Sequence, residues 1–153
     1  QGEELGMPDG ELQPSDRQDP AFIRSGGTDL GRDGARVPMP WSGDNSPFGF
    51  TTGKPWLPLQ ESWREFTVEN ELKDSNSSLN LYRRAIALRK ERFVGAGEIS
   101  WTNTGSVLSF KRGNIEILLN TSDKPHAING KVLLASHEVQ DSLPPKAAVW
   151  LLR

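Results

Sequence analysis

Apolar side chains recur most clearly at helical spacing between positions 79 and 88. Leu81, Ala85 and Leu88 stand at i, i+4 and i+7, and Leu79, Tyr82 and Ile86 at i, i+3 and i+7, giving one wide apolar face. Asp74-Ser75-Asn76-Ser77-Ser78 offers capping side chains before it. Arg89, Lys90 and Arg92 complement the dipole at its far end, with Gly95 or Gly97 to close it. The spacing predicts a helix over about 78–92. After Gly97 the period drops to two: Ile99 and Trp101, Leu108 and Phe110, then Ile115, Ile117 and Leu119 alternate with their neighbours. Gly113-Asn114 reads as a hairpin turn, and Asn129-Gly130 as a second one, between Ala127-Ile128 and Val132-Leu133-Leu134. Pro144-Pro145 breaks the chain before a last strand from Ala147 to Leu152. Five to seven short antiparallel strands are predicted over 98–153, a small sheet or sandwich. A β unit of that size buries little surface by itself.

The first 60 positions show neither period for long. Eighteen of the 26 glycines and prolines lie there, so continuous helix is prohibited and the segment reads as one long loop. Yet Phe22, Ile23, Trp41, Phe48, Phe50, Trp56 and Leu57 are scattered through it, whereas disordered linkers are poor in aromatics. The loop is therefore expected to pack, and so long a loop in a compact domain is usually functional. Loop and helix read as the end of one domain, 1–95, followed by a complete small one, 98–153.

Composition narrows the chemistry. A net charge of −2 argues against broad attraction to nucleic acid or anionic lipid. No apolar run approaches the roughly 18 residues of a membrane span. Cysteine is absent, which excludes disulfides, thiolate catalysis and Cys-based zinc sites, and fits a cytoplasmic location. The chain opens at Gln1 without an initiator Met, a basic n-region or an apolar h-region, so processing or a longer parent is expected. His126 and His137 have no metal-site context, and no Walker loop, GxGxxG or GxSxG occurs, so no metal or cofactor is expected. Asn76-Ser77-Ser78 and Asn120-Thr121-Ser122 match the glycosylation sequon, a frequent chance match. Glu3, Glu4, Asp16, Asp19, Asp29, Asp33 and Asp44 punctuate the loop, but a catalytic pair must converge to about 5 Å in a retaining glycosidase, and spacing in a loop does not show that. Gly31-Arg32-Asp33-Gly34-Ala35-Arg36-Val37-Pro38-Met39-Pro40-Trp41 is dense in sugar-binding groups: guanidinium forks, an indole and close-approach glycines. The same composition also suits a loop pinned by Arg–Asp pairs.

These residues resemble a known family. Gln1-Gly2-Glu3-Glu4-Leu5-Gly6-Met7 is similar to the Q-G-E-E-[LIM]-G that follows the eighth barrel strand in family 13 glycoside hydrolases, the α-amylase superfamily. Gly31 to Trp41 resembles the G-R-D-x-x-R-x-P-M-[PQ]-W of its α-glucosidase and oligo-1,6-glucosidase subgroup. Asn45 to Thr51, Pro55-Trp56-Leu57-Pro58, the helix from Leu81 to Lys90, and the tail with Leu143-Pro144-Pro145 and Val149-Trp150-Leu151 resemble the same subgroup in order. The resemblance implies the fold: the tail of a TIM (β/α)8 barrel, with the end of strand 8, a βα8 loop over 1–60 and helix 8, then a small antiparallel β-sandwich C-terminal domain. It places the loop at the barrel face that carries the active site. It implies a fragment of a retaining α-glucosidase acting on terminal α-linked glucose in maltose- or isomaltose-type oligosaccharides. The nucleophile, acid/base and transition-state carboxylates would precede Gln1 on the missing N-terminal barrel, so no catalytic residue is assigned here and the chain alone is expected to be inactive. Arg32 is implied to reach the −1 subsite, bonding sugar hydroxyls and a neighbouring aspartate. Asp33, Arg36 and Trp41 are expected to brace the loop near the site, Trp41 from beneath it. Two other readings stand beside this one: a catalytically silent relative of the amino-acid transporter heavy-chain kind, and a stand-alone β-sandwich carbohydrate-binding module with Trp101 and Trp150 as candidate aromatics.

Overall fold

The computed structural model describes residues 2–102 and 105–153; Gln1, which opens the first motif, lies outside them. The chain divides into two compact units, Gln1–Tyr82 and Arg83–Arg153.

In the first unit the proline-rich segment folds through short helical turns. Single 3-10 turns form at Glu3–Leu5, Pro14–Asp16 and Asp33–Arg36, and a longer one at Glu61–Phe66. Helix α1 (Pro20–Arg24) starts on Pro20, where the missing N–H costs nothing, and Asp19 caps it by accepting from the Ala21 N–H. Helix α2 (Val68–Lys73) is capped by Thr67, whose hydroxyl accepts from the Asn70 N–H. The loop closes around Leu12, Val37, Phe48, Leu57, Leu59 and Trp63, with Met7 and Phe66 packed against them. Phe48 and Trp63 are completely buried. Of the aromatics that led to an expectation of packing, Phe48 enters this core, while Trp41, Phe50 and Trp56 stay at the surface.

Helix α3 (Ser78–Arg92) has the predicted bounds. Its start is heavily bonded: Ser77 Oγ accepts from the Asn80 N–H, Glu71 Oε2 accepts from the Leu79 N–H, and Asn80 Nδ2 donates to the Glu71 and Asp74 carbonyls. No residue along α3 is buried, although the sequence gives it a wide apolar face. Within this chain Leu79, Leu81, Ala85 and Leu88 are half-buried while Tyr82 and Ile86 are exposed, so the face is only partly covered.

The second unit carries seven strands among the described residues: β1 (Ile99–Trp101), β2 (Val107–Arg112), β3 (Ile115–Asn120), β4 (His126–Ala127), β5 (Lys131–Ala135), β6 (Ser142–Leu143) and β7 (Ala148–Leu152). They form an antiparallel five-stranded sheet in the order β1-β2-β3-β7-β5 and a two-stranded ribbon, β4-β6. The Gly113-Asn114 turn joins β2 to β3 with Arg112 opposite Ile115, as its sequence predicts. The hairpin expected at Asn129-Gly130 does not form. β4 pairs with β6 and β5 pairs with β7, so the turn carries the chain from ribbon to sheet. A turn signal fixes a reversal, but pairing is decided by which face a strand must bury. Val107, Leu118, Val149 and Leu151 from the sheet pack with Leu143 of the ribbon and Ala147 to form the core. Asn120 is completely buried, its amide spent on the Lys124, Leu143 and Pro144 carbonyls, so this sequon is structural in the folded chain. Trp101, whose alternation with its neighbours suits a core position, is 58% exposed and leans on Phe110.

Candidate functional site

The segment rich in sugar-binding groups is organised by two aspartates. Asp33 is completely buried. Its Oδ2 accepts from the backbone N–H groups of Gln18 and Asp19, both at 2.7 Å. Asp33 Oδ1 has no hydrogen-bond partner among the described residues. Asp19 works in both directions from that anchor. Its Oδ1 accepts from the Ala21 N–H and its Oδ2 from the Arg32 N–H and Arg36 Nη1, each of the last two at 3.0 Å. One carboxylate thus starts α1, holds the main chain at Arg32 and pairs with the guanidinium of Arg36.

Electrostatics follow the geometry. The Ala21 N–H and then the Arg32 N–H hold the Asp19 carboxyl below the ordinary carboxylate value, with help from the Arg36 and Arg32 guanidinia and against the opposing effect of burial. A carboxylate so held stays ionised at neutral pH.

The turn before Arg32 is fixed as closely. Gly31 has φ +64°, Asp29 Oδ1 accepts its N–H, and Arg17 Nη1 donates to the Leu30 carbonyl. A Cβ on Gly31 would lie 2.5 Å from Asp19 Cβ and Cγ, so this position admits glycine alone without displacing the aspartate.

The four residues singled out in the sequence fall as follows. Arg32 has its main chain held by Asp19, while its exposed guanidinium makes no hydrogen bond among the described residues. Asp33 is the buried anchor and Arg36 the cation on Asp19. The Trp41 ring is 48% exposed rather than packed beneath the loop. Its main chain does the tying, the N–H donating to the Phe48 carbonyl at 2.8 Å and the carbonyl accepting from the Glu69 N–H at 3.0 Å. Sequence reasoning counted Asp19 among the loop acids without seeing it as the hub; the Asp19-Pro20 pair, a capping residue before a first-turn proline, is the signal for it. At the other end of the unit, Glu3 Oε1 accepts from the Tyr82 hydroxyl at 3.1 Å and pushes that hydroxyl's pKa up.

Beside this hub lies an open polar cleft of about 340 Å³ whose lining includes Ser15, Asp16, Gln18, Lys54 and Trp56. No group of three or more His, Asp or Glu side chains among the described residues is placed to hold a metal ion. No helix among them is long and apolar enough to cross a membrane.

Comparison with known proteins shows the family. The family model for the alpha amylase catalytic domain matches residues 1–97. A probable alpha-glucosidase of Rhizobium meliloti (strain 1021) is 40% identical over 131 residues, 81% of this chain and 23% of that protein. An oligo-1,6-glucosidase of Parageobacillus thermoglucosidasius is 44% identical over 64 residues, 42% of this chain and 11% of that protein. The chain thus spans under a quarter of the length of these curated relatives. Among solved structures, the alpha-glucosyl transfer enzyme XgtA is 34% identical, with a TM-score of 0.77 over 99% of this chain and 32% of that one. The trehalose-6-phosphate hydrolase of Bacillus licheniformis, 21% identical, has a TM-score of 0.75 over 100% of this chain and 35% of that one, a likeness of fold. The chain belongs to the α-amylase family of glycoside hydrolases, family 13, and the curated relatives named above are an α-glucosidase and an oligo-1,6-glucosidase.

Proposed function

We propose that this chain is the C-terminal portion of a retaining α-glucosidase that hydrolyses terminal α-linked glucose in maltose- or isomaltose-type oligosaccharides in the cytoplasm. In this reading residues 1–95 complete the (β/α)8 barrel, with a βα8 loop over 1–60 and helix α3 as its last helix. Residues 98–153 are the C-terminal β domain. The chain supplies a wall of the substrate pocket, and the reacting carboxylates come from the preceding barrel, the partner this part requires. Relatives named α-glucosidase and oligo-1,6-glucosidase support the reaction class.

One observation carries the assignment of Arg32. Its backbone is fixed by Asp19 while its guanidinium has no hydrogen-bond partner among the described residues. A permanent cation on a rigid backbone, with unused donors, suits sugar hydroxyls and keeps a nearby carboxylate ionised. Arg36 spends its guanidinium on Asp19 and Asp33 is buried, so both hold the loop rather than the sugar. In the intact enzyme, Arg32→Ala lowers kcat/KM for maltose at least tenfold, while the thermal unfolding midpoint stays within a few degrees. Wild-type turnover in that variant removes Arg32 from the pocket.

A further inference from the structure

We propose that the cleft beside the Asp19–Asp33 hub is an outer oligosaccharide site whose plate is Trp56. The proposal deepens the reading above and rests on it: the ligand is the far end of an α-glucan chain whose terminal glucose sits in the pocket.

Trp56 is 55% exposed yet its indole is positioned. Its Nε1 donates to Gln18 Oε1 at 2.8 Å, and Gln18 Nε2 donates back to the Trp56 carbonyl at 3.4 Å. Gln18 is itself anchored, its N–H lying 2.7 Å from the buried Asp33 carboxylate. With its N–H occupied, the indole has only its faces to offer a ligand, and those suit the C–H face of a sugar ring. Ser15, Asp16 and Lys54 line the cleft around it, offering residues with a hydroxyl, a carboxylate and an ammonium. One anion and one cation leave no net charge to select a phosphate or a nucleotide, whereas donors and acceptors around an aromatic plate match a neutral polyol. The cleft of about 340 Å³ has room for one or two pyranose rings. Gln18 precedes Asp19, which holds the Arg32 main chain, so Asp33 sets the plate and the pocket guanidinium through consecutive residues.

The test compares substrates of different length in the intact enzyme. Trp56→Ala lowers kcat/KM for maltotetraose at least fivefold and changes that for p-nitrophenyl α-glucoside less than twofold. Trp56→Phe, which keeps an aromatic face and drops the N–H, retains at least half of the maltotetraose activity. Equal losses on both substrates, or none on either, overturn the outer site. Arg32→Ala serves as the separate check on the pocket: if it fails while Trp56→Ala still discriminates by length, only the pocket reading falls. Should the intact protein hydrolyse neither substrate, calorimetric titration with maltotetraose decides. Heat lost in Trp56→Ala supports the site, and unchanged or absent heat overturns it.

Discussion

Gly31 and Gly26 show how the same residue type does different work at two positions five apart. Both have φ +64°. A Cβ on Gly26 would meet nothing within 4 Å, whereas one on Gly31 would fall 2.5 Å from Asp19 Cβ and Cγ. Gly26→Ala therefore carries only the left-handed backbone penalty, about 1 kcal/mol. Gly31→Ala carries that and also pushes Asp19 off the Arg32 N–H and the Arg36 guanidinium, charge-assisted bonds of about 1.5–3 kcal/mol each. Urea unfolding of this chain followed by tryptophan fluorescence gives a loss for Gly31→Ala at least twice that for Gly26→Ala. Equal losses at the two positions mean that Asp19 does not hold the loop.

At the scale of elements, that loop behaves as a strap whose strength depends on one carboxylate. Asp19 is held below its ordinary value of 3.8, chiefly by the Ala21 and Arg32 N–H groups. A depressed folded-state value means that the contribution is complete well above 3.8, and is lost as pH falls through the lower folded value. Asp19→Asn cannot titrate, so it is less stable than the native chain at pH 6 and the gap narrows at pH 3. Urea midpoints at the two pH values measure this, and a gap of the same size at both refutes the strap. The strap was only partly legible. Asp33 and Arg36 stand out because charged residues inside a Gly- and Pro-rich turn must be paired, but Asp19 lies 14 positions from its anchor Asp33, beyond any local pattern. Helix α3 and the Gly113-Asn114 hairpin could be read because caps, dipole charges and a two-residue turn are local chemistry. The pairing of β5 with β7 could not, because it follows from burying Val149 and Leu151 against the ribbon's Leu143, a demand made across the unit. Trp41 and Trp101 misled for the same reason: an indole in the right sequence setting reports apolar character, not which neighbours arrive to cover it.

For the molecule as a whole, what matters is which carboxylates remain free to react. Retaining glycoside hydrolysis needs two of them about 5 Å apart, one to attack and one to pass a proton to and from the leaving oxygen. The fold does set two loop acids side by side along the chain path, the Asp19 main-chain N–H donating to Asp33 Oδ2 at 2.7 Å. Neither suits the reaction. Asp33 is completely buried and holds two backbone N–H groups, and Asp19 is occupied by Ala21, Arg32 and Arg36. Asp33 holds the Gln18 and Asp19 main chain and Asp19 holds that of Arg32, which in the proposed reading is a pocket wall's work. On the proposed division of labour, the 153-residue chain by itself releases no p-nitrophenol from p-nitrophenyl α-glucoside above the buffer blank, while the intact parent protein does so under the same conditions. Turnover by the chain alone, abolished by Asp19→Asn or Asp33→Asn, would instead make these two aspartates the reacting pair and overturn the division of labour between this chain and its barrel.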